Sequence, residues 1–449
     1  MTDAAIAHDE APSRPRPWTA ICVLFGLAAA LLFLVNLVRY SNDTQHELRL
    51  IPDLTYDQRL DFNYFYGAAQ MARHGDADNL YPDCRPGHYP RCSQVIYYPG
   101  NPIFRDPTID DYSKATAIVR GSYFAPPAGA YLQAPLTYLS FKAAYWTWSL
   151  LSLGALGGFL LLAWRAGSGI VELPFLILGI VAFKPVHEVL IMGHLALFFA
   201  LALAAGFLLL RGGKPDLAGL AFSVLALKPQ WAVLPAIYLL VIGERRAFVV
   251  MAVASGAVFL VPFLIAGPET LPRYLRFLKD VYDFNLIEAP HMLSWNGFLF
   301  KLNAGPVDKP VYYALTLASV VPMLFVWWKG DFYLGVAATV TAMLLLSNHS
   351  VWYDWAILVV AALFLVLRAP SMSHPQRVEM WIVLLALYVA AGQSIHELLV
   401  PGRHFIEWYR EAFYSMAPVT LGALVWMASL AWRDARTSRP QDEAGMLSA

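Results

Sequence analysis

Long apolar runs alternate with short polar breaks along almost the whole chain. The first run, Trp18 to Val38, exceeds the about 20 residues that a helix needs to cross a bilayer, and no small-residue cleavage site follows it. Further runs cover 138–164, 169–183, 189–210, 215–227, 231–243, 246–266, 311–328, 332–346, 354–368, 378–392 and 415–432. The pattern predicts an all-α, multispanning membrane protein of about twelve spans. Several runs are short for a perpendicular crossing, so tilted or buried, incomplete helices are expected among them. The membrane body occupies 18–432, between polar tails at 1–17 and 433–449, and three long segments interrupt it at 39–137, 267–310 and 393–414.

Basic residues give these spans a direction. Arg14 and Arg16 precede the first run, and Arg165, Arg211, Lys214, Arg245, Arg246, Lys329, Arg368, Arg377, Arg433, Arg436 and Arg439 fall on the same side of the alternation. The positive-inside rule then puts both termini in the cytoplasm. Most of the eleven histidines, with Asp61, Lys184, Glu188, Lys228, Asn296 and Asp354, fall on the opposite, outer side. A polar face on one side reads as an active site at the outer leaflet of the cytoplasmic membrane. A transporter or flippase would need polar groups near the midplane and on both sides.

Composition agrees with a lipid-bilayer setting. The chain is 58% hydrophobic and 14% charged, against about 25% charged in soluble domains. Its zero net charge argues against a nucleic-acid partner.

Four polar sites stand out against this background. Asp61 opens the segment Asp61-Phe62-Asn63-Tyr64-Phe65-Tyr66-Gly67-Ala68-Ala69, where helical spacing puts Asp61, Tyr64, Phe65 and Ala68 on one face. That predicts an amphipathic juxtamembrane helix lying in the interface, with Asp61 either as its N-cap or as a catalytic base. His194 follows Gly193 within an apolar run and needs a polar partner there, whereas Lys184 to Glu188 read as an interfacial loop with solvated charges. Lys228-Pro229 breaks another run: the ammonium either snorkels to the headgroups or meets a lipid-linked phosphate. The turn Ser347 to Asp354 offers His349 and Asp354 as sugar or phosphate ligands, or else satisfies itself.

The chemistry that is missing narrows the field. Cys84 and Cys92 bracket a turn-rich stretch whose Gly and Pro favour a disulfide between them in an oxidising compartment, with zinc held together with His88 as the alternative. Otherwise no metal-ligand spacing and no Gly-rich nucleotide loop is present. Neither a cofactor nor a soluble nucleotide-sugar donor is expected.

Taken together, the segments at 61–69 and 75–81, Phe124-Ala125-Pro126-Pro127 with Pro135, Gly193-His194, Leu217-Ala218-Gly219 with Leu227-Lys228-Pro229, Ser294-Trp295-Asn296-Gly297 and the His349–Asp354 turn resemble glycosyltransferase family 87. The resemblance covers about 18–370 and implies the C-type membrane glycosyltransferase fold. It implies a polyprenyl-phosphate-linked sugar donor, with mannose foremost, and a glycolipid or glycan acceptor. It also implies Asp61 as general base, with Lys228, His194, His349, Asn296 and Asp354 at the donor. Arg403 and His404 are further candidates for charge stabilisation, without motif support. One departure is His194, where family members often carry Gln. A ligase or polymerase using a lipid-pyrophosphate glycan is the nearest alternative, and it would need a more cationic outer face.

Overall fold

The computed structural model describes residues 61–81, 94–97, 117–120, 123, 125–278, 292–303, 309–347, 349–392 and 416–437, with scattered positions between 27 and 38. Apart from a small antiparallel ribbon of β1 (Gln94–Tyr97) and β2 (Ala117–Arg120), its regular elements are helices. The ribbon departs from the all-α expectation at a place where Val95 and Ile96 face Val119 and Ile118. Such β-branched pairs suit a pleated surface.

After α1 (Asp61–His74) and α2 (Pro127–Gln133) come α3 (Phe141–Ala166), α4 (Leu173–Val181), α5 (Lys184–Met192), α6 (Ala196–Arg211), α7 (Pro215–Ser223), α8 (Val233–Val241) and α9 (Arg245–Ala266). They are followed by α10 (Trp295–Asn303), α11 (Lys309–Lys329), α12 (Phe332–Leu346), α13 (Leu358–Arg368), α14 (His374–Gly392) and α15 (Met416–Thr437). Every apolar run from 138 onward coincides with a helix, while most of the first, 18–38, lies outside the described residues.

Helices and full crossings are different things here. Among the described residues, four helical segments are long and apolar enough to cross a membrane: α3, α9, α11 and Trp352–Ser371. A fifth is added if α4 and α5, bent by 41° at their junction, act as one. By contrast α6, Pro215–Leu227, Pro229–Val241 and α12 are apolar but only 10–17 residues long. At about 1.5 Å per residue they fall short of roughly 30 Å of hydrocarbon.

The helices differ widely in depth. Only 11% of the apolar window of α9 and 22% of that of α11 is buried, against 89% for Trp352–Ser371. Residues Leu334 to Leu345 of the short α12 are all buried. The long helices α9 and α11 therefore lie at the rim, and the 352–371 segment with the short α12 forms the centre. Pro262 and Pro322 sit inside the rim helices α9 and α11, a placement that membrane helices tolerate better than soluble ones.

Local sequence explains where the short helices stop. Gly193 ends α5 with φ +69°, the left-handed conformation that glycine adopts without a Cβ clash. Asp331 starts α12 by accepting a hydrogen bond from Leu334 N at 2.9 Å. Gly219 lets α7 lie against the α9 backbone, because a Cβ there would stand 2.6 Å from Ala247 O.

The end of the bundle that holds Arg211 and Asp331 is laced by ion pairs. Arg368 bridges Asp331 and Asp434, Arg433 meets Glu379 at 2.5 Å, and Arg377 meets Glu172 at 3.2 Å. These bonds tie α15 and α14 to the centre of the bundle.

Candidate functional site

The opposite end gathers four of the predicted residues. Helix α7 continues as a 3-10 turn to Leu227, and the chain then breaks at Lys228, where φ −138° and ψ 78° end the helical path. Pro229 starts the next turn, since it lacks the N–H that an uninterrupted helix would need. The break turns Lys228 into the protein. Its ammonium donates to Asp354 Oδ2 at 2.6 Å and lies 4.1 Å from the centre of the Trp231 ring.

Asp354 is fully buried on the 3-10 turn Trp352–Ile357 that leads into α13. The same Oδ2 accepts from Val351 N at 3.0 Å, so the turn presets the carboxylate before Lys228 arrives. Its other oxygen, Oδ1, lies 3.7 Å from His194 Nδ1, beyond hydrogen-bond reach, and neither atom has a hydrogen-bond partner among the described residues. His194 stacks on Tyr353 with ring centres 4.4 Å apart.

His349 belongs to the link between α12 and that turn. Desolvation, and then the Lys228 ammonium, pushes its imidazole down to about 3, so it is neutral at physiological pH.

The turn that carries His194 is held from α3. Trp148 Nε1 donates to Gly193 O at 2.8 Å, and the Tyr145 hydroxyl reaches the carbonyls of Leu190 and Ile191 at 2.9 Å. These bonds satisfy the open carbonyls at the end of α5. Lys184 and Glu188, expected in a solvated loop, instead belong to helix α5, which Pro185 starts and which buries Glu188. Proline in the first helical turn explains the difference, because the missing N–H has no helical partner there anyway.

Helix α1 lies directly on this turn. A Cβ on Gly193 would stand 2.7 Å from Phe62 Cβ, and Phe65 is 6.1 Å from His194, ring centre to ring centre. Phe62, Phe65, Tyr66, Ala68 and Ala69 are buried, and Tyr66 OH donates to Leu139 O at 2.9 Å. The aromatic face is thus pressed against the protein body. Asp61 sits half-buried in the first turn, where the helix dipole favours a carboxylate.

Further bonds fix the surroundings of α1. Tyr81 OH donates to Ala125 O at 2.6 Å, and Arg273 donates to Asp78 O at 2.9 Å. They join the segments around 75–81, 123–127 and 270–278.

Asn296 comes near the site through its neighbours. It donates to Met292 Sδ at 3.7 Å, and Met292 pairs as a bridge with Val351, beside Asp354. Cys84, Cys92, Arg403 and His404 lie outside the described residues. Sequence reading missed the Val351 N–H, Trp231 and Tyr353. The i, i+3 spacing of Lys228 and Trp231 was an available signal for their contact. Among the described residues no group of three His, Cys, Asp or Glu could hold a metal.

The result is a buried cation, carboxylate and two imidazoles at one end of a helical membrane body, with open hydrogen-bonding capacity. Such a cluster can bind an anionic or hydroxyl-rich group. The chain matches no curated protein and no solved structure. The sequence model described as glycosyltransferase family 87 matches residues 123–348, half of the chain, with His349 and Asp354 just beyond the matched stretch and Asp61 well before it. The chain belongs to glycosyltransferase family 87 and is a membrane glycosyltransferase.

Proposed function

We propose that the enzyme moves a hexose or pentose, most readily mannose, from a polyprenyl-phosphate donor to a hydroxyl on a glycolipid or glycan. The reaction takes place at the outer face of the cytoplasmic membrane. The observation that carries this reading is the convergence of Lys228, Asp354, His194 and His349 beside the helix that Asp61 begins. The basic residues at the far end of the bundle support a cytoplasmic location for that end and for both termini. A count of about twelve spans, the short ones included, remains the arrangement we favour.

A sugar on a polyprenyl phosphate already carries a good leaving group. The Asp61 carboxylate takes the proton of the acceptor hydroxyl as the acceptor oxygen attacks the anomeric carbon. The bond from that carbon to the phosphate oxygen breaks, and the phosphate departs with the electron pair. The displacement is single, so a β-linked donor gives an α-linked product.

Lys228 has two N–H groups beyond the one given to Asp354, and these meet the departing phosphate. Asp354 holds the ammonium in place. His349, which is neutral, and His194 serve sugar hydroxyls or phosphate oxygens, with Asn296 beside them. Arg403 and His404 remain candidates for further charge stabilisation.

The test is transfer from a panel of radiolabelled polyprenyl-phosphate sugars in native-host membranes, wild type against Asp61→Asn. We expect transfer from one donor, reduced about 100-fold to 10,000-fold in the variant with donor binding kept. Undiminished transfer by Asp61→Asn would sink the proposed mechanism.

A further inference from the structure

A cavity of about 270 Å³ opens at the end of the bundle opposite Lys228, at the meeting point of α6, α8, α11 and α12. It is several times the roughly 30 Å³ share of one water molecule and approaches the lower range of ligand pockets. Apolar residues form most of the wall, among them Ile242 and Trp327. Tyr238 turns its hydroxyl into the wall by donating to Phe332 O at 3.2 Å.

Three charged side chains face this space, and only two of them are uncommitted. Asp331 gives one oxygen to Leu334 N and the other to Arg368. Glu244 makes no side-chain hydrogen bond or ion pair among the described residues, although it lines the cavity. Among the described residues Arg211 meets only the face of the Tyr333 ring, 4.8 Å from its centre, and makes no side-chain hydrogen bond or ion pair. Opposite charges without an ion-pair partner among the described residues thus share one rim.

The backbone adds to the asymmetry. Helices α6, α8 and α11 end here, where terminal carbonyls favour a cation, and α9 and α12 begin here, where open N–H groups favour an anion. The level in the membrane is marked by Trp328, 71% exposed beside the cavity, with Lys329 3.6 Å over its ring. Trp and Lys at a helix end belong to the headgroup layer. Exposed Leu240 and Val241 of α8 and Leu324 of α11 run away from the mouth as a surface for acyl chains.

We propose that this cavity binds the zwitterionic headgroup of an aminophospholipid of the phosphoethanolamine type. The ammonium goes to Glu244 and the helix ends, and the phosphate to Arg211. The site is separate from the sugar-transfer site and does not rest on the donor reading.

Native mass spectrometry of the full-length protein, delipidated in detergent, tests this. Dioleoyl phosphatidylethanolamine, phosphatidylcholine and phosphatidylglycerol are added in equal amounts. We expect one phosphatidylethanolamine retained at activation energies that strip the other two. Arg211→Gln and Glu244→Gln should each lower that retention at least about tenfold, and Lys214→Gln, one turn away in the same basic stretch, should leave it unchanged. Equal retention of the three lipids, or retention indifferent to both cavity variants, overturns the proposal. Soluble O-phosphoethanolamine is the second probe. Displacement of the lipid by millimolar amounts of it would show a site for a free zwitterion and overturn the lipid assignment; no displacement supports it.

Discussion

The two ends of the bundle both hold buried charge, but they use it differently. At the α12 start, Arg368 is 7% exposed and each of its carboxylate partners is at least one-third exposed. Asp331 and Asp434 also bond to Leu334 N and Gln376, so the network is saturated. At the other end Asp354 is wholly buried, Lys228 is its one ion-pair partner within hydrogen-bond distance among the described residues, and His194 stands just out of reach. A saturated network clamps helices together. An open one leaves bonds to be completed by something that is not part of the protein.

The sharpest way to break that comparison is to neutralise each network. Lys228→Met or Asp354→Leu alone strands a buried charge and should destabilise the protein by about 3–5 kcal/mol. The double variant should regain most of that stability in thermal unfolding while sugar transfer stays lost. Arg368→Ala should cost roughly 1–3 kcal/mol and leave transfer per folded molecule near wild type. Loss of transfer in the folded fraction of Arg368→Ala would erase the distinction.

A second change acts on the seating of α1. Gly193→Ala forces an alanine into left-handed backbone, about 1–2 kcal/mol, and drives its Cβ into Phe62. Displacing α1 by a fraction of an ångström should lower kcat by roughly 10-fold to 100-fold. Adding Phe62→Ala should recover part of the stability, as read by thermal unfolding.

The His349 pH dependence is smaller. Its folded value, about 3, lies below the ordinary value near 6.5. The unfolded chain therefore takes up the proton first, and stability present above about pH 6.5 is lost as pH falls towards 3. His349→Gln should flatten the fall in unfolding temperature between pH 6.5 and 4. A fall as steep as in wild type would mean that the imidazole is not the group responsible.

The least effect is expected at the Arg433–Glu379 pair beside the saturated network. Arg433 and Glu379 are each more than a third exposed, and Arg433→Gln should change stability by at most about 1 kcal/mol.

The alternation of apolar runs located the helices well, because burying backbone in lipid leaves a chain little choice but helix. It marked several runs as short for a perpendicular crossing, as the 10–17-residue helices are, but it did not say which runs lie buried. That difference rests on whether a helix such as α12 is sheathed by others, which hydropathy does not record. His194 and Lys228, polar residues that interrupt apolar stretches, and the polar turn that ends in Asp354 were legible as candidate site residues, the first because a buried imidazole needs a partner. Their pairing was not, since Lys228 and Asp354 stand 126 positions apart. Other motif residues proved to be packing devices: Gly219 admits the backbone of α9, and Tyr81 anchors Ala125.

The lipid-facing α9 and α11 and the sheathed α12 and 352–371 segment together have a mechanical consequence. A membrane that thickens or thins pulls on the surfaces it touches, and α9 and α11 can answer by tilting. Helix α12 and the 352–371 segment, sheathed by protein, have almost no lipid contact through which to feel that pull. The outer helices act as a suspension, and the charged cluster rides inside them at a spacing fixed by the protein alone.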